Sequence, residues 1–226
     1  MREYSSLQFM LDDKVEAARE RIIYAVTAYM DGIGMVPCGR ESAERTVSFA
    51  RIKGGWAVFD DCADRLDMHA LHGLARCLTS GLHTKAVGIM GYRDGFILRL
   101  YCDGRLRDNF NSSPGSLSLS SKAMGCSGHA IRWRSILCEN GSIRELSAAF
   151  AKSRRNPSEG FYDVCRLLSL DKSAEYGFSS IEDAKLEGVI TLYFHTANCL
   201  RQRWLYRIFH YPVKCKGAAP SAFTKK

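Results

Sequence analysis

Two Asp-Gly pairs, Asp94-Gly95 and Asp103-Gly104, constrain this 226-residue chain more than any other feature. Asp-Gly supplies the positive φ angles of a tight hairpin turn. The pairs separate three β-rich runs: 85–92, 96–101 and 105–110. The spacing predicts a three-stranded antiparallel meander. Side chains alternate across a strand, so Phe96, Leu98 and Leu100 share one face, and Ile97, Arg99 and Tyr101 the other.

Around the meander the periodicities alternate between helix and strand. Val15, Ala18, Ile22, Val26 and Tyr29 recur at helical spacing behind a cap at Asp12 or Asp13, and Gly32 and Gly34 end that helix. Residues 46–52 and 56–60 read as strands joined through Lys53-Gly54-Gly55. Asp67 caps a second helix with Met68, Leu71, Leu74, Ala75 and Leu78 inward, closed by Gly81. Beyond a serine-rich stretch, residues 130–137 alternate Ile131 and Trp133 against Arg132 and Arg134, which predicts a one-sided strand. Ser142 and Glu145 have the spacing of a capping box for a helix to about Lys152, with Ile143, Leu146 and Phe150 inward. Asn156-Pro157 breaks it before a helix over 161–168, and strands are predicted over 188–195 and 203–211.

Strands cluster between helices without strict alternation. The expectation is an α+β fold, a mainly antiparallel sheet with the meander at its centre and helices packed on it. It reads as a single domain over 1–226, or as two subdomains, 1–112 and 129–215, divided by the serine-rich loop 112–128. Residues 216–226 read as a flexible tail. The composition, 46% hydrophobic and 25% charged, is that of a folded globular chain and excludes a disordered one.

The first thirteen residues hold no apolar leader run, and no stretch approaches the roughly 20 apolar residues of a membrane span. A soluble, cytoplasmic protein with no membrane insertion is expected. Its nine cysteines lie far apart, so neither paired-cysteine zinc motifs nor a redox Cys-x-x-Cys occurs, and most are read as reduced, small and buried.

Asp60, Asp61, Cys62, Asp64, Asp67, His69 and His72 form the densest polar constellation. His69 and His72 are three apart on a helix, so with Asp60 and Asp61 upstream they are candidate metal ligands. Carboxylates at a helix entry also act simply as caps. Gly125-Cys126-Ser127-Gly128-His129 fails the nucleophile-elbow pattern at position 129, leaving only a Ser or Cys paired with His129. Walker and dinucleotide fingerprints are absent. Asn109-Phe110-Asn111-Ser112-Ser113 places polar side chains at a strand end, where they bind ligands or make turns.

The net charge of +8 is unevenly spread. Residues 1–126 hold 16 basic and 15 acidic side chains, whereas 127–226 hold 16 and 9. After Glu187 come seven basic residues and no acidic one. Arg201, Arg203 and Arg207 interleave with Trp204 and Tyr206, a pattern suited to phosphates and stacked bases. Three functions follow as expectations. The first is a non-catalytic intracellular module that binds another protein through the sheet or its loops. The second is RNA or single-stranded DNA binding by the basic, aromatic C-terminal third. The third is a small metal-dependent or thiol/serine enzyme. The sequence favours no cofactor and fixes no oligomeric state.

Overall fold

A computed structural model describes residues 3–11, 15–65, 67–113 and 128–197. The fold is α+β. Eight antiparallel strands form one sheet: β1 (Tyr4–Phe9), β2 (Met35–Pro37), β3 (Arg45–Ile52), β4 (Gly55–Asp60), β5 (Lys85–Tyr92), β6 (Gly95–Cys102), β7 (Arg105–Asn111) and β8 (Ile190–Thr196). Their order across the sheet is β2-β8-β3-β4-β1-β5-β6-β7.

The meander forms as the sequence predicts, but it lies at one end of the sheet rather than at its centre, with β7 the edge strand. Lys85 pairs with Cys102, Tyr92 with Gly95, and Cys102 with Arg105. Asp103 and Gly104 take φ angles of 48° and 72°, the left-handed pair that a tight hairpin needs. At the other turn the loop sits one residue earlier than the Asp-Gly pair suggests, and Gly95 already belongs to β6. A Cβ at Gly95 would lie 2.6 Å from Ser112 Oγ, so glycine is required there for close approach.

The largest departure from the sequence reading is β1. Its residues look polar, yet all six are buried, with β4 on one side and β5 on the other. Ser5 and Gln8 are hydrogen-bonded in the interior, whereas the Tyr4 hydroxyl and Ser6 Oγ are buried without a partner among the described residues. The Ser5 N–H donates to Asp64 Oδ1 at 3.0 Å. Gln8 Oε1 accepts the Asp171 N–H at 2.9 Å, and its Nε2 donates to Ser173 Oγ at 3.0 Å.

Two apolar layers cover the sheet. On one face lie α1 (Val15–Gly32) and α2 (Met68–Leu82), which press Ile22, Val26, Leu71, Leu74 and Leu78 onto Leu7, Phe49, Val58, Met90 and Ile97. Asp67 caps α2 as predicted, accepting from the His69 and Ala70 amides, but the helix closes at a left-handed His83 rather than at Gly81. On the other face, α3 (Ile143–Ser153) and α4 (Pro157–Leu167) set Leu146, Phe150, Phe161 and Val164 against Phe96, Leu98 and Phe110. Ser142 and Glu145 form the capping box of α3. Asn156 caps α4 and Pro157 is its first residue, so that helix starts four residues before the predicted position.

Residues 130–137 are not a strand. Ala130–Ile136 is a 3₁₀ helix with Trp133 fully buried and Ile131 58% exposed. A period of three turns Ala130 and Trp133 inward. The cause is Asp108 on β7, whose Oδ2 accepts both the His129 N–H and Trp133 Nε1–H at 2.6 Å.

The proposed caps Asp12 and Asp13, residues 114–127 of the serine-rich stretch, the 203–211 strand and the tail at 216–226 lie outside the described residues. No helix among the described residues is long and apolar enough to cross a membrane.

Candidate functional site

Asp60 ends β4 in the interior. Arg45 on β3 grips it through two hydrogen bonds, Nε to Oδ1 at 3.0 Å and Nη2 to Oδ2, and the guanidinium lies 5.4 Å from the centre of the Tyr29 ring. Ligand atoms of Asp60, Asp61 and Cys62 come within 4.8 Å of one another. Neither His69 nor His72 joins any such group among the described residues. Burial pushes the Cys62 thiol up to about 11, away from the thiolate a metal needs. The cation that already balances Asp60 is Arg45.

Arg201, Arg203, Arg207, Trp204, Tyr206 and Cys126 lie outside the described residues. His129 is placed by its backbone amide on Asp108.

The arrangement with the strongest chemical demand lies under α2, on the face of β6 that carries Ile97, Arg99 and Tyr101. Arg99 is only 1% exposed. Its Nη1 reaches the Met68 carbonyl at 3.4 Å, its Nη2 meets the Met68 thioether at 3.9 Å, and its Nε–H has no acceptor. The Tyr101 hydroxyl is close enough to feel its charge; burial raises that hydroxyl's pKa and Arg99 works against the rise. Each of these neighbours is neutral. No described carboxylate pairs with Arg99. Outside the described residues the acidic side chains are Asp12 and Asp13, and 114–127 and 198–226 contain none.

Polar groups extend the site across the sheet. Phe110 points to the α3/α4 side, so Asn109 and Asn111 share the face of Arg99. Asn109 is the register partner of Arg99 and Asn111 that of Ile97. Asn111 is fully buried, and its Oδ1 accepts the Tyr92 O–H at 2.6 Å and the Ser113 N–H at 2.9 Å. These bonds orient the amide, and its Nδ2 donors meet no acceptor. On the helix side, half-buried His72 brings Nδ1 within 3.2 Å of the Tyr101 hydroxyl. Burial, with Arg99 and Arg76 nearby, lowers the His72 pKa and favours the neutral ring.

Comparison finds no protein family, no curated protein and no solved structure that matches this chain. Nothing beyond its own residues assigns it a role. An open groove of about 690 Å³ elsewhere is lined by Arg19, Arg51, Lys53 and Lys185 together with Asp171 and Glu187. Arg51, Lys53 and Lys185 are exposed and half-buried Arg19 pairs with Glu16, so none of its four basic side chains is a buried, unmatched charge.

The Asn109–Ser113 cluster is legible in the sequence, whereas Arg99 enters that reading only as one of three residues on a strand face. The available signal is its position between Ile97 and Tyr101 on one face, where a lone charge interrupts an apolar row.

Proposed function

We propose that this chain is a non-catalytic binding module that receives an anionic group of a partner protein at Arg99. The observation that supports it is a buried guanidinium that meets no counter-ion among the described residues. Removing a charge from water costs several kcal/mol unless an opposite charge meets it. A fold that keeps such a residue retains a demand that an incoming anion satisfies. Met68, half-buried and flexible, covers the guanidinium and is the side chain that moves aside. The open hydrogen-bonding positions on Arg99 and Asn111 are donors, which suits the recognition of an anion. A cytoplasmic setting accords with the six described cysteines, all free thiols.

The test is thermal unfolding of the full chain with polyglutamate, acetate, phosphate and chloride at constant ionic strength. At least one anion raises the melting temperature of the wild type by several degrees and leaves Arg99→Met unmoved. No response from the wild type, or an equal response from the variant, overturns the reading.

A second reading rests on the charge distribution: seven cations and no carboxylate after Glu187, interleaved with Trp204 and Tyr206. It is RNA or single-stranded DNA binding. Replacing Arg201, Arg203 and Arg207 with Gln weakens binding to a single-stranded oligonucleotide and flattens its salt dependence, since fewer counterions are released. Unchanged affinity removes this reading.

A further inference from the structure

We propose that the group received by Arg99 is a single carboxylate, held side-on by Nε and Nη2 with Asn111 as a further donor. This rests on the reading of Arg99 as a ligand site and names the chemistry of the ligand.

The first argument is the geometry of the open edge. Nη1 is the nitrogen that meets an oxygen, the Met68 carbonyl. Nε has no partner among the described residues, Nη2 meets the Met68 thioether sulfur at 3.9 Å, and the neutral Tyr101 hydroxyl also lies against the guanidinium. Those two nitrogens carry parallel N–H bonds on one edge of the guanidinium plane. Two parallel donors at that spacing match the two oxygens of a carboxylate.

The second argument is the count of charge. Arg99 contributes one positive charge inside the fold. Burial holds His72 toward its neutral form. Arg76 is exposed, with Nε bonded to the Gly104 carbonyl at 2.9 Å, so water already balances it. Asn109, opposite Arg99, offers an amide that can share a hydrogen bond but cancels no charge. A carboxylate brings the desolvated site to zero. A phosphate, with a charge of about −1.5 to −2 at neutral pH, leaves buried negative charge uncompensated.

The third argument is the second donor. Asn111 is on the same face, diagonal to Arg99, a residue spacing of roughly 7–8 Å across a strand pair. Its orientation is fixed by the bonds its Oδ1 accepts from Tyr92 and Ser113. An acceptor on the chain bearing the carboxylate, such as a peptide carbonyl, meets it. Ile97, Met90 and Met68 contribute apolar surface on this side of the sheet.

The experiment follows the buried Arg99 Nε–H by NMR in the full chain labelled at arginine. Four probes are titrated through the millimolar range: N-acetyl-glutamic acid amide, its neutral isostere N-acetyl-glutamine amide, acetate, and inorganic phosphate. The expected result is a saturable shift of the Nε–H with the two carboxylates and none with the glutamine probe. Arg99→Lys keeps the charge but loses the fork, and weakens carboxylate binding about tenfold or more. Saturation by phosphate with both carboxylates silent overturns the carboxylate assignment and leaves an anion site standing. Silence with all four probes overturns the site itself. Tighter binding of the glutamate probe than of acetate identifies a protein side chain as the source; equal binding identifies a free small carboxylate, and either result supports the class. Should the Lys variant fail to fold, the wild-type titrations decide alone.

Discussion

His72 Nδ1 stands 3.2 Å from the Tyr101 hydroxyl, with the two ring centres 5.6 Å apart. The contact joins α2 to β6 beside Arg99 and has a consequence for stability. Burial, Arg99, Arg76 and His69 together lower the His72 pKa in the folded state below the unfolded value of about 6.5. The unfolded chain therefore binds the proton first as pH falls. The stabilisation is complete above about pH 6.5 and declines below it, until folded His72 also takes up a proton. Unfolding midpoints between pH 7.5 and 5 fall with acidification in the wild type. His72→Asn, which places an amide near the Nδ1 position, shows a shallower decline. Identical profiles would mean that His72 does not titrate differently in the fold.

Arg99→Met makes a test that separates a ligand site from a structural one. A structural arginine is missed when removed. An arginine buried without a counter-ion instead penalises the free protein, and a methionine of similar reach takes its place among Met68, Ile97 and Tyr101. The expected change is a stabilisation of about 1–3 kcal/mol in denaturant unfolding, with loss of anion response. A loss of stability of similar size would show that Arg99 serves the fold.

The contrast is Arg45, which is buried and paired. Asp60→Ala leaves its guanidinium uncompensated beneath Tyr29 and costs about 3–5 kcal/mol. Replacing both partners, Arg45→Met with Asp60→Leu, recovers most of that loss because no orphan charge remains. Denaturant midpoints of the two single variants and the double variant check it. A double variant as unstable as Asp60→Ala would refute the charge argument.

What the sequence makes legible follows from which forces act locally. The meander, the capping of α2 by Asp67 and the capping box of α3 depend on residues within a few positions of one another, and each is readable. β1 is not, because Ser5, Ser6 and Gln8 carry no strand signal of their own. Their place in the sheet depends on partners as distant as Asp64 and Asp171. The 3₁₀ helix at 130–136 replaces a predicted strand for the same reason: Asp108, more than twenty residues upstream, decides which way Trp133 turns. Arg99 is the functional instance. Its alternation with Ile97 and Tyr101 is visible, but that no carboxylate among the described residues meets it is a fact of three-dimensional assembly.

Asp108 supplies the last prediction. One oxygen of its carboxylate accepts two donors, the His129 amide and the Trp133 indole, both at 2.6 Å. Arg132 touches the other oxygen at 3.4 Å from an exposed position, where an ion pair adds little. Asp108→Ala therefore strands two N–H groups, one of them on a fully buried indole, and each stranded donor costs about 1–3 kcal/mol. A destabilisation of about 2–4 kcal/mol is expected in denaturant unfolding. Trp133→Phe removes one donor, keeps an aromatic ring against Phe150, and costs about half as much. Because both variants act on one bond, the double variant is less destabilised than the two losses added together. Strict additivity would mean that Asp108 and Trp133 contribute independently, and that the 3₁₀ helix is held by packing rather than by this carboxylate.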